Sequence, residues 1–454
     1  MSWRKSASSG RGLLALGIGL RILAFPFLSP LNADYGHLTL VKYVAEHHVL
    51  FPLAADRLAF HPPLYYVLAA PFYAITGTAK GTQLLSLLLS ILTLLLFYRL
   101  LYVENLIRDE QPRMYAFLLP CFLPPFILNS LIVSNDTLTT FFGALIVLQV
   151  VRFVAMPNNT QLLLLGLVEA LGLCSKATFL AFLPGLFVLV LLVRLRQGRS
   201  VWNASVAALG LLLLSCGLGS YKFIQNYREA KNPFYSSLSL SMPWQDEQRA
   251  TYRGAASFYD VNVLKLLKFP SDSPATDGAY PLILYGTFWY HYVPDSNFTG
   301  ARHPPFYYLG SIIYLFALFP SVIIILGLFR LLKNAPRLIT HFLPSRKDDQ
   351  QALVSLTSVF FLLGILTLIL SVTLKYHIWS TIVGRYLYPS FCGLLVAFGD
   401  GAAALSGQKV LDKTIRIMMI SLVVCFGLYF ASEIAYQILH LLVTNSAALF
   451  KRLS

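Results

Sequence analysis

The chain has 454 residues, 57% of them hydrophobic and only 12% charged, with a mean hydropathy of +0.66; a water-soluble domain carries about 25% charged residues, so too few polar groups exist here to cover a soluble surface. The net charge of +15 would suit nucleic acid in a soluble protein, but these Lys and Arg residues cluster in short loops between apolar runs, the pattern of loops facing anionic lipid, and nucleic acid is excluded as a partner. Cys121, Cys174, Cys216, Cys392 and Cys425 lie in or beside apolar runs, which excludes a disulfide framework or a zinc pattern.

A membrane-crossing helix takes about 20 mainly apolar residues. That measure predicts an all-α integral membrane protein with about eleven spans, at 12–28, 82–103, 114–132, 137–155, 161–175, 177–195, 201–221, 305–331, 352–373, 384–404 and 414–442. The first follows Trp3-Arg4-Lys5 as a signal peptide would, but no small-residue cleavage site follows it, so it reads as an uncleaved helix. Pro120, Pro124 and Pro125 are expected to distort the third span, which a bundle tolerates when neighbours satisfy the freed backbone groups. Residues 1–454 read as one polytopic membrane domain. If the spans alternate, Arg4, Lys5 and Arg11, Arg108 and Arg113, Arg194 to Arg199, Arg330 to Lys347, and Lys409 to Arg416 all fall on one side, which is then cytoplasmic together with the N-terminus.

Two long segments, 29–80 and 222–304, then lie outside. In the first, Leu38, Val41, Val44 and Ala45 recur at helical spacing, which predicts a short interfacial helix. Phe60-His61-Pro62-Pro63-Leu64-Tyr65-Tyr66 follows, and Pro in a first turn predicts a second interfacial helix running to about Ile75. The segment 222–304 is rich in Tyr, Phe and Trp, has too few periodic runs for a separate domain, and ends in His303-Pro304-Pro305-Phe306-Tyr307-Tyr308, an echo of residues 61–66.

Charge at membrane depth costs about 2.5–3.5 kcal/mol per residue on insertion scales, so the charges beside the spans invite explanation. On the outer side they are Asp34, His37, Lys42, His61, Asp136, Lys176, Lys222, His377 and Arg385. Few acids among several cations on one face suit an anionic substrate, phosphate in particular. Asp34, directly after the first span, is placed to take a proton from an incoming hydroxyl or amine; the competing reading is an N-cap for the helix near Tyr35. Asp136, in Ser134-Asn135-Asp136-Thr137, has the same cap reading for the fourth span. Lys176 either snorkels to headgroups or pairs with a lipid phosphate. Arg385 offers a planar fork to phosphate oxygens, or anchors to ordinary headgroups. His37 and His61 suit helix starts and packing better than metal ligation, and no acid or His cluster has ligand spacing, so no metal or cofactor is indicated.

In order, Asp34-Tyr35-Gly36-His37 after the first span, His61-Pro62-Pro63-Leu64-Tyr65-Tyr66 before the second, Ser175-Lys176 in a short outer turn, and Gly384-Arg385-Tyr386-Leu387 opening a late span resemble the GT-C superfamily. These are polyprenyl-phosphate-sugar-dependent membrane glycosyltransferases, among them protein O-mannosyltransferases and lipid A aminoarabinose transferases. The resemblance runs over most of residues 12–400. That family commonly has Asp-Glu after the first span; here Tyr35 stands second, leaving Asp34 the sole local carboxylate.

The resemblance implies a GT-C-like fold and an inverting transfer of a hexosyl or pentosyl group from a polyprenyl-phosphate-linked donor. The acceptor would be a saccharide, lipid or protein. The setting would be the outer face of a bacterial plasma membrane, or the luminal face of an endoplasmic reticulum membrane in a eukaryote, among membrane lipids. It implies Asp34 as base, Lys176 and Arg385 on the departing lipid phosphate, and His37, His61, Asp136 and Tyr386 as further substrate-binding residues. Trp244, Trp289 and Tyr290 are candidate sugar-stacking surfaces, or members of an interfacial aromatic belt. Three other readings remain: a lipid-linked-saccharide flippase or other transporter, which nearly charge-free mid-span regions and a lack of wider repeats disfavour; a polysaccharide polymerase or ligase; and a scaffold that kept the fold and lost activity.

Overall fold

The computed structural model describes residues 2–31, 36–268, 270, 278–290, 306–341 and 346–453. Asp34 and the echo at 303–305 lie outside the described residues. Within them the chain is helical, and no strand occurs.

Seven helical stretches are long and apolar enough to cross a membrane: Ala79–Val103, Asn135–Ala155, Val201–Gly219, Tyr308–Thr340, Lys347–Tyr376, Trp379–Leu405 and Lys409–Leu439. The protein is a multi-pass membrane protein. The expected count of eleven is not established. The other four expected spans coincide with helices that are shorter, broken or more polar: α1 (Ser2–Ala24), α5 (Glu110–Phe122) with α6 (Pro124–Asn129), α8 (Asn159–Ser175), and a 3₁₀ turn at Ala177–Ala181 followed by α9 (Leu183–Arg196).

The prolines act where expected. Residue 123 precedes Pro124 and is driven out of the helical region, to φ −59° and ψ 113°; α5 stops there and α6 restarts with Pro124 in its first turn. The distortion is held from α1. Arg21, fully buried, donates from Nη2 to the Pro120 carbonyl at 2.7 Å, from Nη1 to the Gly17 carbonyl at 2.9 Å, and from Nε to Ser90 Oγ at 2.8 Å. A buried guanidinium needs such partners, and these pin α1 to α5 and to α4 (Ala79–Tyr98).

Both helices predicted between residues 29 and 80 form, as α2 (Gly36–His47) and α3 (Leu64–Thr76), with Pro63 as the N-cap residue of α3. Leu38, Val41 and Val44 of α2 are buried, and α2 packs on α3. The segment 222–304 contains more helix than its sequence suggested: α11 (Tyr221–Ala230), α12 (Pro243–Ala250), α13 (Ala256–Tyr259), α14 (Val263–Lys268) and α15 (Tyr280–Trp289).

The remaining helices build the bundle: α7 (Asn135–Ala155), α10 (Val201–Gly219), α16 (Phe306–His341), α17 (Lys347–Tyr376), α18 (Phe391–Leu405) and α19 (Lys409–Leu453). Between membrane helices small residues permit backbone contact. At Gly327 of α16 a Cβ would stand 1.7 Å from the Ala397 carbonyl oxygen of α18, and at Gly401 2.1 Å from that of Ile323. The two helices therefore touch directly.

Candidate functional site

A cavity of about 970 Å³ is lined by residues of both long segments between the apolar runs, among them His37, Pro62, Lys222 and Trp244. It is built where the start of α7, the end of α8, the loop between α2 and α3 and a 3₁₀ segment before α18 meet, and each is placed by identifiable bonds.

Ser134 caps α7, its Oγ accepting from the Asp136 N–H at 3.2 Å. The cap expected of Asp136 thus falls to Ser134, which leaves the Asp136 carboxylate available. Asn135 donates from Nδ2 to the Ser175 carbonyl at 3.3 Å, and Thr139 Oγ1 lies 3.4 Å from Ser175 Oγ. These contacts lock the start of α7 to the end of α8, so Lys176, the next residue, meets Asp136. Its ammonium makes a direct ion pair with Asp136 Oδ1. Side-chain exposure is 11% for Lys176 and 14% for Asp136.

Arg385 arrives from the 3₁₀ segment Gly384–Ser390. Its Nε lies 3.8 Å from Asp136 Oδ2. Two glycines set this position. A Cβ at Gly384 would stand 2.6 Å from backbone atoms of Phe288, and one at Gly143 of α7 would stand 1.9 Å from the Pro389 carbonyl oxygen. Gly384 N also donates to Thr287 Oγ1 at 2.7 Å. Tyr386 lies beneath both cations, its ring centroid 5.0 Å from Lys176 Nζ and 5.5 Å from Arg385 Cζ.

The His-Pro-Pro-Leu-Tyr-Tyr motif holds the first outer loop against this cluster. Tyr65 and Tyr66 are fully buried. The Ser134 N–H donates to Tyr65 Oη at 3.1 Å, and Tyr66 Oη lies 2.9 Å from His37 Nδ1. His37 stacks on His61 with ring centroids 5.7 Å apart. Burial, then the nearby Lys176 ammonium and His37, hold the His61 imidazole well below its ordinary value, so it is neutral at physiological pH.

Of the expected site residues, His37, His61, Asp136, Lys176, Arg385 and Tyr386 all line the one cavity. Asp34 lies outside the described residues; His37, three positions on, is at the wall. Lys222 also lines it, whereas Lys42 lies over the Tyr73 ring and His377 stacks on Tyr252. Trp244 and Tyr290 face the cavity, but Trp289 is buried and donates to Ser321 Oγ at 2.9 Å. Asn135, Asn226, Lys375 and Trp379 belong to the wall and were not singled out by sequence; no local pattern distinguishes them from other residues near helix ends. Among the described residues no group of three His, Cys, Asp or Glu is placed to hold a metal ion.

Comparison with known proteins adds a family to this geometry. Residues 60–218 match the family model of the dolichyl-phosphate-mannose-protein mannosyltransferases. The matched stretch, about a third of the chain, carries the His-Pro-Pro-Leu-Tyr-Tyr motif, Asp136 and Lys176, and it supports the GT-C glycosyltransferase likeness read from the sequence. A search of curated proteins finds no match. Among solved structures, ArnT from Cupriavidus metallidurans bound to undecaprenyl phosphate is similar at 12% identity, over 86% of this chain and 76% of that one, with a TM-score of 0.39. The Archaeoglobus fulgidus oligosaccharyltransferase tethered with an acceptor peptide is similar at 11% identity, over 95% of this chain and 56% of that one, with a TM-score of 0.46; the chain spans about half that enzyme's length.

Proposed function

We propose that this protein is an inverting glycosyltransferase that moves a sugar from a polyprenyl-phosphate donor to an acceptor at the outer membrane face. The observation that carries the reading is the Lys176–Asp136–Arg385 cluster on the wall of a single cavity, within the roughly 300–1,000 Å³ range of small-molecule sites. The family match over residues 60–218 supports sugar transfer from a lipid phosphate.

Among the described residues two cations share one carboxylate there, and a donor phosphate suits the pair. In the transfer, an acceptor oxygen attacks the anomeric carbon and the bond from that carbon to the phosphate oxygen breaks. The electron pair leaves with the lipid phosphate, whose charge grows as the bond opens. Lys176 and the Arg385 fork, both fixed beforehand, stabilise that growing charge. The acceptor proton passes to a carboxylate, assigned here to Asp34. Asp136 offsets the repulsion between the two cations while the site is empty and holds them at the cavity wall.

The test is retention of native lipid. Wild-type protein purified from membranes should carry a phosphate-headed isoprenoid, detected by mass spectrometry, and Arg385→Gln should carry much less. Wild-type protein that binds no such lipid, even when undecaprenyl phosphate is added, would remove the donor assignment.

A further inference from the structure

The sugar-transfer reading uses two of the cavity's cations and leaves a third unexplained. Lys222, on α11, lines the same cavity and is only 2% exposed. Its ammonium donates to Gln225 Oε1 at 2.9 Å and lies 4.8 Å from the Phe51 ring centroid. Both partners are neutral. Among the described residues no carboxylate comes within ion-pair distance of it. Glu229, two turns further along α11, is committed elsewhere: its Oε2 accepts from the Leu53 N–H at 2.8 Å and its Oε1 from Gln225 Nε2 at 2.8 Å.

This placement is rigid. Gln225 Nε2 also donates to the Phe51 carbonyl at 3.0 Å, so α11 is tied to the loop at residues 51–53 through the turns that follow Lys222. A buried ammonium without a counter-charge costs several kcal/mol, and α11 maintains that cost. Lys176 and Arg385 are different, because Asp136 already compensates them in part. Lys375 lines the same wall, where Asp136 is the one described carboxylate.

We propose that Lys222 is a second anion-binding group of this cavity, receiving an acidic group on the substrates beyond the phosphate held at Lys176 and Arg385. That group is either the second phosphate of a diphosphate-linked donor or a phosphate or carboxylate on the acceptor. Asn226 stands one turn along the same helix face, 3% exposed, with its Oδ1 unpartnered, and lines the cavity beside it; it supplies an acceptor for a hydroxyl of the same ligand. Burial lowers the Lys222 ammonium to about 8, against a weaker opposing pull from Glu229, and an anion bound next to it restores a full charge.

The proposal rests on the sugar-transfer reading for the first phosphate only, and the experiment separates the two. Wild type, Lys222→Met, Lys222→Arg and Arg385→Gln are compared in detergent micelles. The probes are undecaprenyl phosphate, undecaprenyl diphosphate, glucose and glucose 6-phosphate. Wild type is expected to prefer at least one charged probe, diphosphate over monophosphate or glucose 6-phosphate over glucose. Lys222→Met should lose that preference by about tenfold, Lys222→Arg should keep it, and monophosphate binding should be unchanged in both. Loss of the diphosphate preference places the group on the donor; loss of the glucose 6-phosphate preference places it on the acceptor. Removing an uncompensated buried charge should leave the thermal midpoint of Lys222→Met equal to or above wild type, whereas a purely structural lysine would lower it. Three results overturn the proposal: no preference in wild type, a preference untouched in Lys222→Met, or loss of monophosphate binding to the degree seen in Arg385→Gln. Failure of wild type to bind undecaprenyl phosphate would instead sink the donor assignment, and a Lys222-dependent glucose 6-phosphate preference could survive it.

Discussion

Replacing Arg385 with Gln separates a phosphate ligand from a structural ion pair. Arg385 is 24% exposed and approaches Asp136 Oδ2 only to 3.8 Å, whereas Lys176 contacts Oδ1 directly. At that separation and an effective dielectric of 20 the gross attraction is about 4 kcal/mol. Desolvation and side-chain ordering cancel most of it, leaving about 1 kcal/mol for a partly exposed pair. Asp136 keeps Lys176 in the variant, so that carboxylate is not stranded, and loss of this pair should cost the fold about that much. Donor binding loses a hydrogen bond to a charged group, about 1.5–3 kcal/mol, which at 1.4 kcal/mol per decade is roughly 10- to 150-fold in Kd. Trp244 and Trp379 line the cavity, so quenching of tryptophan fluorescence on titration with undecaprenyl phosphate reads the affinity, and thermal unfolding in the same detergent reads the fold. An Arg385→Gln protein that unfolds like wild type and binds undecaprenyl phosphate within twofold of it would refute the phosphate role.

Asp136→Asn should act in the opposite direction on binding. It removes the carboxylate that competes with the donor phosphate for both cations, so undecaprenyl phosphate should bind more tightly while stability falls by about 3–5 kcal/mol from breaking the buried pair with Lys176; weaker binding in a folded variant would contradict this. Asp34→Asn should abolish sugar transfer while leaving expression and membrane insertion intact, and wild-type turnover would remove Asp34 from the mechanism. Gly143→Ala forces a Cβ against the Pro389 carbonyl oxygen, so it should cost about 1–3 kcal/mol by overpacking and weaken donor binding through displacement of Arg385; unaltered binding would show that this contact does not position the guanidinium. His61 titrates well below its ordinary value in the folded protein. The unfolded chain therefore takes up a proton as pH falls below about 6.5 while the folded protein does not, and stability drops on that side by up to about 1.4 kcal/mol per pH unit. His61→Gln should flatten the acid-side fall in thermal midpoint between pH 6.5 and 5, and parallel slopes for variant and wild type would rule the effect out.

Much of the fold was legible along the chain because lipid imposes a local rule. Every backbone polar group must be satisfied within its own segment, so apolar length reads directly as helix. The helices α2 and α3 were legible for a related reason, since spacing and a Pro-Pro start are short-range signals. The break at Leu123, before Pro124, follows equally from one residue's chemistry. What length and composition misjudged is how helices start: the spans expected from residues 177 and 384 open as 3₁₀ segments, Ala177–Ala181 and Gly384–Ser390. Those departures occur where the site is built.

The site residues were individually visible as charges beside spans, but their roles were not. Ser134 and Asp136 both suit the start of α7; only the tertiary contact with Lys176 and Arg385 decides that Ser134 caps and Asp136 pairs. Tyr65 and Tyr66 read as the opening of a helix, yet they hold the first outer loop to Ser134 and His37 across 69 and 29 residues of sequence. By itself the sequence determined the solvent, the helical class and the residues with charge to offer, because hydrophobicity and helix chemistry act over a few residues. Which charges meet, which are compensated and which, like Lys222, remain uncompensated among the described residues was decided only by tertiary structure, because electrostatic pairing depends on distances of a few ångströms between segments that composition does not encode.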